Sequence, residues 1–150
     1  AMRILDSMNL EYGYMTYECE DGHIDGVSVA HKTGQNPEAV FKTLVAVGHS
    51  KVLYVFCIPV EYELDLKKAA KASEEKSIEM LPLKELTKNT GYVRGGCSPI
   101  GMKKNYKTFV DESALLQEKI LVSAGVIGTQ IIIKPDDLIN AIEASYSDLI

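Results

Sequence analysis

Between residues 92 and 104 this chain can be neither helix nor strand throughout. Gly95, Gly96, Pro99 and Gly101 fall within seven positions. Each glycine weakens a regular element, and the proline removes an N–H donor. Any fold must therefore be arranged around a long irregular segment. Glycines also allow backbone to approach a ligand closely and to adopt positive φ. Successive free N–H groups in such a loop can form a nest for an anion or a developing oxyanion, and Pro99 would hold it rigid. A plain structural connector between two strands is the alternative reading, and glycine content alone leaves both open.

Patterning on either side is regular. Residues 3–8 read as the end of a short helix, with Ile4, Leu5 and Met8 on one face. Residues 12–18 read as a strand and 20–26 as a polar turn. Asp25 is a candidate cap for a helix over 27–32 that Gly34 closes. Asn36-Pro37-Glu38 is a second start signal, predicting a short helix over 39–41. The runs 43–47 and 51–58 form a predicted hairpin about Gly48-His49-Ser50. Asp65 caps a helix over 66–72, 78–81 reads as a short strand, and a helix over 83–88 ends at 89–91. Strands follow at 108–110, 120–123 and 129–134, then a helix from Pro135 through Ala144 with Leu138, Ile139 and Ile142 buried. Helices alternate with strands, yet several strands are joined by tight turns. That mixture predicts an α+β fold with a curved mixed sheet. The 150 residues fit one domain, residues 1–150, able to bury a core without staples.

Charge narrows the partners. The net charge is −5, whereas a general coat for nucleic acid is basic. No DNA partner is expected; a local basic patch gripping one end of an RNA remains compatible. The longest apolar run, residues 52–60, is far too short to span a bilayer, so no membrane partner is expected. Cys19, Cys57 and Cys97 form no CxxC pair, and His23, His31 and His49 share no ligand spacing with them. Neither a disulfide framework nor a zinc site is expected, and no cofactor is called for. Reduced thiols and the lack of a recognisable signal peptide point to the cytoplasm.

Several residues are candidates for chemistry. Ser98 invites comparison with a G-x-S-x-G nucleophile elbow, but the fifth position is Ile100, and Pro99 has no N–H for an oxyanion hole. No His and acid set completes a triad, so Ser98 reads as a hydrogen-bonding or loop-shaping residue. Cys97 needs a base or a positive field to become thiolate; Arg94, Lys103 and Lys104 could supply a field, but no histidine is near in sequence. Lys42 leads into an apolar strand. It is either a solvated strand end or a cation aimed into a cleft, where it could hold a phosphate, a ribose hydroxyl or a carbonyl oxygen. Lys67, Lys68 and Lys71, with Lys103, Lys104 and Lys107, are the densest basic clusters, and most such runs are solvated faces. Lys103-Lys104 abuts the glycine segment. Tyr17, Tyr92 and Tyr106 are candidate stacking surfaces for a terminal base, or ordinary packing.

The chain resembles the YbaK/EbsC family, free-standing relatives of the editing domain inserted in bacterial prolyl-tRNA synthetase. The resemblance rests on Asn36-Pro37…Val40-Phe41-Lys42-Thr43-Leu44-Val45, Leu66-Lys67-Lys68-Ala69-Ala70-Lys71, Thr90-Gly91-Tyr92-Val93-Arg94-Gly95-Gly96-Cys97-Ser98-Pro99-Ile100-Gly101 and Val122-Ser123-Ala124-Gly125. It covers essentially the whole chain in the family's order. It implies a mixed sheet curled into a partial barrel surrounded by helices, and deacylation of mischarged tRNA, with Cys-tRNA(Pro) as the best-known substrate. Lys42 would take the place of the family's essential lysine. Gly95 and Gly96, with Ser98, Pro99 and Gly101, would form the loop that cradles the aminoacyl ester, with Lys103 and Lys104 beside it. Tyr17 and Ser123 match pocket-lining positions. The chain departs from the family at Ala124, at Val126-Ile127 where a basic stretch is usual, and at Gln130; these positions bear on amino-acid preference. Sister subfamilies that remove alanine share the lysine and a related loop.

An activated ester needs its carbonyl held and its oxyanion stabilised, and the sequence offers no evident general base. The expected mechanism is substrate-assisted: the substrate's own thiol attacks, or a ribose hydroxyl helps a water. The expected partners are mischarged tRNA at its acceptor end and prolyl-tRNA synthetase. Alternatives are a non-catalytic module that binds a tRNA acceptor end or the synthetase, a deacylase for Ala-tRNA(Pro), and a serine or cysteine hydrolase of a small ester.

Overall fold

The computed structural model describes residues 2–18 and 26–150. In chain order it contains α1 (Met2–Ser7), β1 (Gly13–Thr16), α2 (Gly26–Thr33), β2 (Phe41–Gly48), β3 (Leu53–Pro59), α3 (Leu66–Ser73), β4 (Ile78–Met80), α4 (Leu83–Thr90), β5 (Lys107–Asp111), β6 (Ile120–Ser123), β7 (Thr129–Ile133), α5 (Pro135–Ile142) and β8 (Ser145–Ser147). The expected turn at 20–26, apart from Gly26, and the Asp25 cap lie outside the described residues, as do Cys19 and His23.

The strands form two sheets: a three-stranded antiparallel one in the order β1-β7-β6, and a five-stranded mixed one in the order β4-β2-β3-β5-β8. An isolated parallel bridge between Val40 and Leu121 joins them. The α+β class and mixed sheet expected from sequence are present. The barrel is not closed: among the described residues this is the single backbone bridge between the sheets, which otherwise meet through packed side chains.

Alternation along β2 and β3 explains why this pair is packed on both faces. Phe41, Val45, Val55 and Cys57 enter one core with Leu5, Ile100, Ile120 and Ile131. Ala46, Phe56 and Ile58 enter a second core with Ala69 and Phe109. Phe56 stacks on Phe109 with ring centroids 5.7 Å apart, a pairing worth about 0.5–1.5 kcal/mol beyond its buried area. α3 covers this second face. Its first turn is held by Asp65, whose carboxylate accepts from the N–H groups of Lys67 and Lys68.

The helix expected over 39–41 is instead a single 3₁₀ turn, Pro37–Ala39, capped by the Asn36 side chain accepting from Glu38 N–H. Val40 is already extended, and Phe41 pairs with Pro59 as the first residue of β2. The apolar run therefore favours sheet pairing as soon as the cap is satisfied. Lys42 is thus an interior strand residue opposite Ile58. The short strand β8, parallel to β5, carried no signal in a polar Ser-Tyr-Ser stretch.

Candidate active site

The segment 91–104 starts where α4 stops. Gly91, at φ +81°, donates its N–H to Thr87 O at 2.8 Å. The segment closes on the same helix end, with Lys103 N–H donating to Thr90 O at 3.0 Å. Between these ties the loop is braced by its own groups. Tyr92 Oη donates to Ile100 O. Gly96 N–H donates to Val93 O at 3.0 Å, and Ile100 N–H to Ser98 Oγ at 3.2 Å. Gly95 and Gly101 have φ of +83° and +74°, a region L side chains rarely occupy. A Cβ on Gly96 would lie 3.1 Å from Ile127 N and 3.2 Å from Val126 C. That position is glycine because the turn between β6 and β7 runs against it.

On one flank of this loop lies a small cavity of about 90 Å³. Its polar wall comprises Tyr17 just past β1, Lys42 and Thr43 from β2, Ser123 from β6, Gln130 from β7, and Gly95 with Cys97 from the loop. Val29, Val40, Phe41 and Val60 give it an apolar back. Antiparallel register sets Ser123 directly opposite Gln130. Tyr17 N–H donates to Gly128 O at 2.9 Å and carries the chain past the end of β1 into the wall.

The hydrogen-bond inventory of this wall is incomplete in a specific way. Among the described residues, three buried side-chain polar atoms lack a partner, and two of them, Tyr17 Oη and Gln130 Oε1, belong to this wall. A buried unpaired polar atom costs about 1–3 kcal/mol, so such atoms are candidates for completion by a polar group from outside the chain. Among the described residues the N–H groups of Gly95 and Cys97 donate no hydrogen bond, and Lys42 has no carboxylate partner. The residues lining the cavity therefore include a lysine, two with uncommitted backbone N–H groups and two with unpaired side-chain atoms.

No activated nucleophile faces this cavity from the loop. Burial pushes the Cys97 thiol up to about 11, against a smaller opposing effect of a hydrogen bond with Thr90. Burial likewise raises Cys57 to about 12, with Thr43 partly opposing. Both thiols stay protonated at neutral pH, and the thiolate is the reactive form. Ser98 is fully buried, its Oγ accepting from Ile100. Among the described residues no cluster of three or more His, Cys, Asp or Glu could hold a metal.

The other flank of the loop faces a larger cavity of about 310 Å³, lined by Pro99, Gly101, Lys103, Lys104 and Tyr106 and by Ile4, Ala141 and Ile142. The residues expected to form one site thus divide. Lys42, Gly95, Tyr17 and Ser123 converge on the small cavity. Pro99, Gly101, Lys103 and Lys104 line the large one. Gly96 and Ser98 line neither, and act within the loop and against the β6–β7 turn. The smaller cavity is the candidate active site, because the buried unpaired groups gather there; in the larger one Tyr106 Oη and Thr108 Oγ1 are already bonded, to Asn89 O and Tyr106 O. Thr43 and Cys97 join the wall without having been expected there. Gln130, a departure from the family at a pocket position, lines this wall as a lone amide in the apolar strand Thr-Gln-Ile-Ile-Ile.

Residues 24–141 match the model of the aminoacyl-tRNA editing domain. The chain is 42% identical over 149 residues to EbsC of Enterococcus faecalis, covering 99% of this chain and 91% of that protein; its name provisionally assigns it Cys-tRNA(Pro)/Cys-tRNA(Cys) deacylase activity. Among solved structures, the hypothetical protein APE2540 aligns with TM-score 0.89 and 19% identity over 99% of this chain and 97% of that one. A protein provisionally identified as a trans-editing enzyme for prolyl-tRNA synthetase aligns with TM-score 0.83 and 21% identity over 99% of this chain and 92% of that one. These two structures show the same fold. Among the described residues no helix is long and apolar enough to cross a membrane.

Proposed function

Since this chain belongs to the aminoacyl-tRNA editing family and is a deacylase of mischarged aminoacyl-tRNA, we propose that it removes cysteine from Cys-tRNA(Pro) in trans and holds the ester in the cavity beside Lys42. The observation that carries this reading is the unfinished hydrogen bonding of that wall. An esterified amino acid brings a carbonyl oxygen, an amine and ribose hydroxyls, and the wall has partners for each. The N–H groups of Gly95 and Cys97 are the candidate donors to the oxyanion; a donor of this kind is worth about 2.7–4 kcal/mol in the transition state. Gly96 is not in this set, since its N–H is bonded to Val93 O. Lys42 grips the ribose or terminal phosphate. Tyr17 and Gln130 accept from the amine, and Ser123 lines the same wall.

The protonated Cys97 and the buried Ser98 leave attack to the substrate. Its own thiol forms an S–C bond to the ester carbonyl, the bond from that carbon to the ribose oxygen breaks, and the thiol proton goes to the departing hydroxyl. The uncharged tRNA leaves, and water opens the resulting thiolactone to free cysteine. Selection for a small side chain follows from the small volume of the cavity and its apolar back. Size alone rejects neighbours weakly, so thiol participation supplies the sharper filter. The chain's net charge of −5 favours shared tRNA selection, with prolyl-tRNA synthetase holding the body of the tRNA.

The test is hydrolysis of Cys-tRNA(Pro), Ser-tRNA(Pro) and Ala-tRNA(Pro) by purified protein. Fast cleavage of the first alone is expected. Equal rates on all three would remove the thiol step, and cleavage of none would leave a binding module.

A further inference from the structure

We propose that the larger cavity on the other flank of the loop is a track for single-stranded RNA, holding the nucleotides of the acceptor end that precede the esterified one. This rests on the function proposed above. The groove has the two things a single strand recognises: cations along its edge and surfaces on which bases can lie. Lys103 and Lys104 are both exposed and, among the described residues, neither has a carboxylate partner. Ile4, Ile100, Ala141 and Ile142 give the groove an apolar floor. Tyr106 lines it with its hydroxyl already donated to Asn89 O at 2.7 Å, which fixes the ring in place.

Three further observations favour RNA over a protein partner and this groove over other basic sites. The chain is acidic overall, so an exposed lysine pair free of carboxylates is a local reversal of charge suited to phosphate. The rival cluster on α3 is partly engaged: Lys68 Nζ donates to Asp148 at 3.1 Å and to Ile150 O at 2.6 Å. The groove also adjoins the candidate active site along one loop. Cys97 lines the small cavity and Pro99 the groove, a separation of at most about 7 Å along the backbone.

The test uses an uncharged, fluorescently labelled single-stranded RNA ending in CCA, titrated at several salt concentrations. Wild-type protein is compared with the Lys103→Ala/Lys104→Ala double variant. The double variant should bind several-fold more weakly at low salt. Its slope of log K against log salt should be shallower by about 1.4, two phosphates at about 0.7 each for a single strand. Lys103→Arg/Lys104→Arg should keep both values, and an unchanged Tm for each variant shows that folding is intact. Identical affinity and slope in the alanine variant would overturn the track. So would tighter binding of a blunt duplex of the same sequence, or loss of synthetase binding with RNA binding intact. Because the RNA is uncharged, these outcomes are independent of whether Cys-tRNA(Pro) is cleaved.

Discussion

Two polar clusters of this protein handle hydrogen bonding in opposite ways. At the β2–β3 turn the Glu75 carboxylate accepts from Ser50 N–H at 3.0 Å, from Ser50 Oγ at 2.6 Å and from Tyr54 Oη. Ser50 and Tyr54 are both bonded to Glu75 there, and these bonds set the protonation of Tyr54 and Glu75. The Ser50 hydrogen bonds, then that from Tyr54, hold the Glu75 carboxyl below its usual range. The Glu75 bond pushes the Tyr54 hydroxyl up to about 12. In the cavity beside Lys42, Tyr17 Oη and Gln130 Oε1 have no partner at all. The first cluster braces a turn. The second leaves two buried polar atoms without a protein partner among the described residues, which is the arrangement a binding site needs. The number of partners, more than the type of residue, separates bracing from binding.

That contrast breaks most visibly at Lys42. Lys42→Ala should lower kcat/KM for Cys-tRNA(Pro) by about a hundredfold or more while thermal stability moves by less than about 0.5 kcal/mol; a variant with normal turnover ends the role of this lysine. Gly96→Ala is expected to disturb both properties. Its methyl has to displace the Val126–Ile127 backbone, costing about 1–3 kcal/mol as overpacking does and shifting the adjoining Gly95 and Cys97. Denaturant melts alongside turnover measure this, and a stable, active Gly96→Ala protein would show that the turn between β6 and β7 yields freely.

Gln130→Met sharpens the comparison, because the two readouts should move in opposite directions. Turnover should fall about tenfold, the equivalent of one hydrogen bond. Stability should stay level or rise by up to about 1 kcal/mol, because a buried unpaired amide oxygen is removed. Destabilisation would mean that Gln130 is already satisfied. Glu75→Gln is the mirror image, with Tm lower by a few degrees and turnover of Cys-tRNA(Pro) unchanged. The smallest effect is in pH. A carboxyl with a depressed folded pKa contributes stability above its unfolded value, about 4.3, and loses it as pH falls through the lower folded value. A hydroxyl raised from about 10 to about 12 contributes below pH 10 and loses that contribution as pH climbs toward 12. Wild-type stability should therefore decline at both extremes, and the Glu75→Gln curve should be flatter at both; parallel curves would show the cluster to be inert.

Local signals made most of the fold legible in the sequence. Asp65 and Asn36 cap where expected, the hairpin about Gly48 forms, and the glycine-rich segment is irregular. The exceptions share one cause. Val40 and Phe41 read as helix because of the cap before them, yet pairing with distant strands decided their conformation. β8 exists only because β5 offers an edge. The candidate site was half legible: Lys42, Gly95, Tyr17 and Ser123 share one cavity. The division of the loop between two cavities was not. Which flank a loop residue faces depends on the β6–β7 turn pressed against Gly96 and on Ile4 against Gly101, and contacts of such separation leave no local trace. Gln130 was legible as a pocket position through the resemblance; that its amide oxygen has no partner among the described residues was not.

The seam between Val40 and Leu121 has a consequence for the newborn chain. It joins residues separated by more than half the polypeptide, and Lys42 lies only two positions from it. Long-range closure of this kind is slow to nucleate compared with local turns. A ribosome that has released only the first half of this protein has made the lysine and the apolar back of its cavity but not Gly95, Cys97, Ser123 or Gln130, so the cavity is completed only when the second half has folded onto the first.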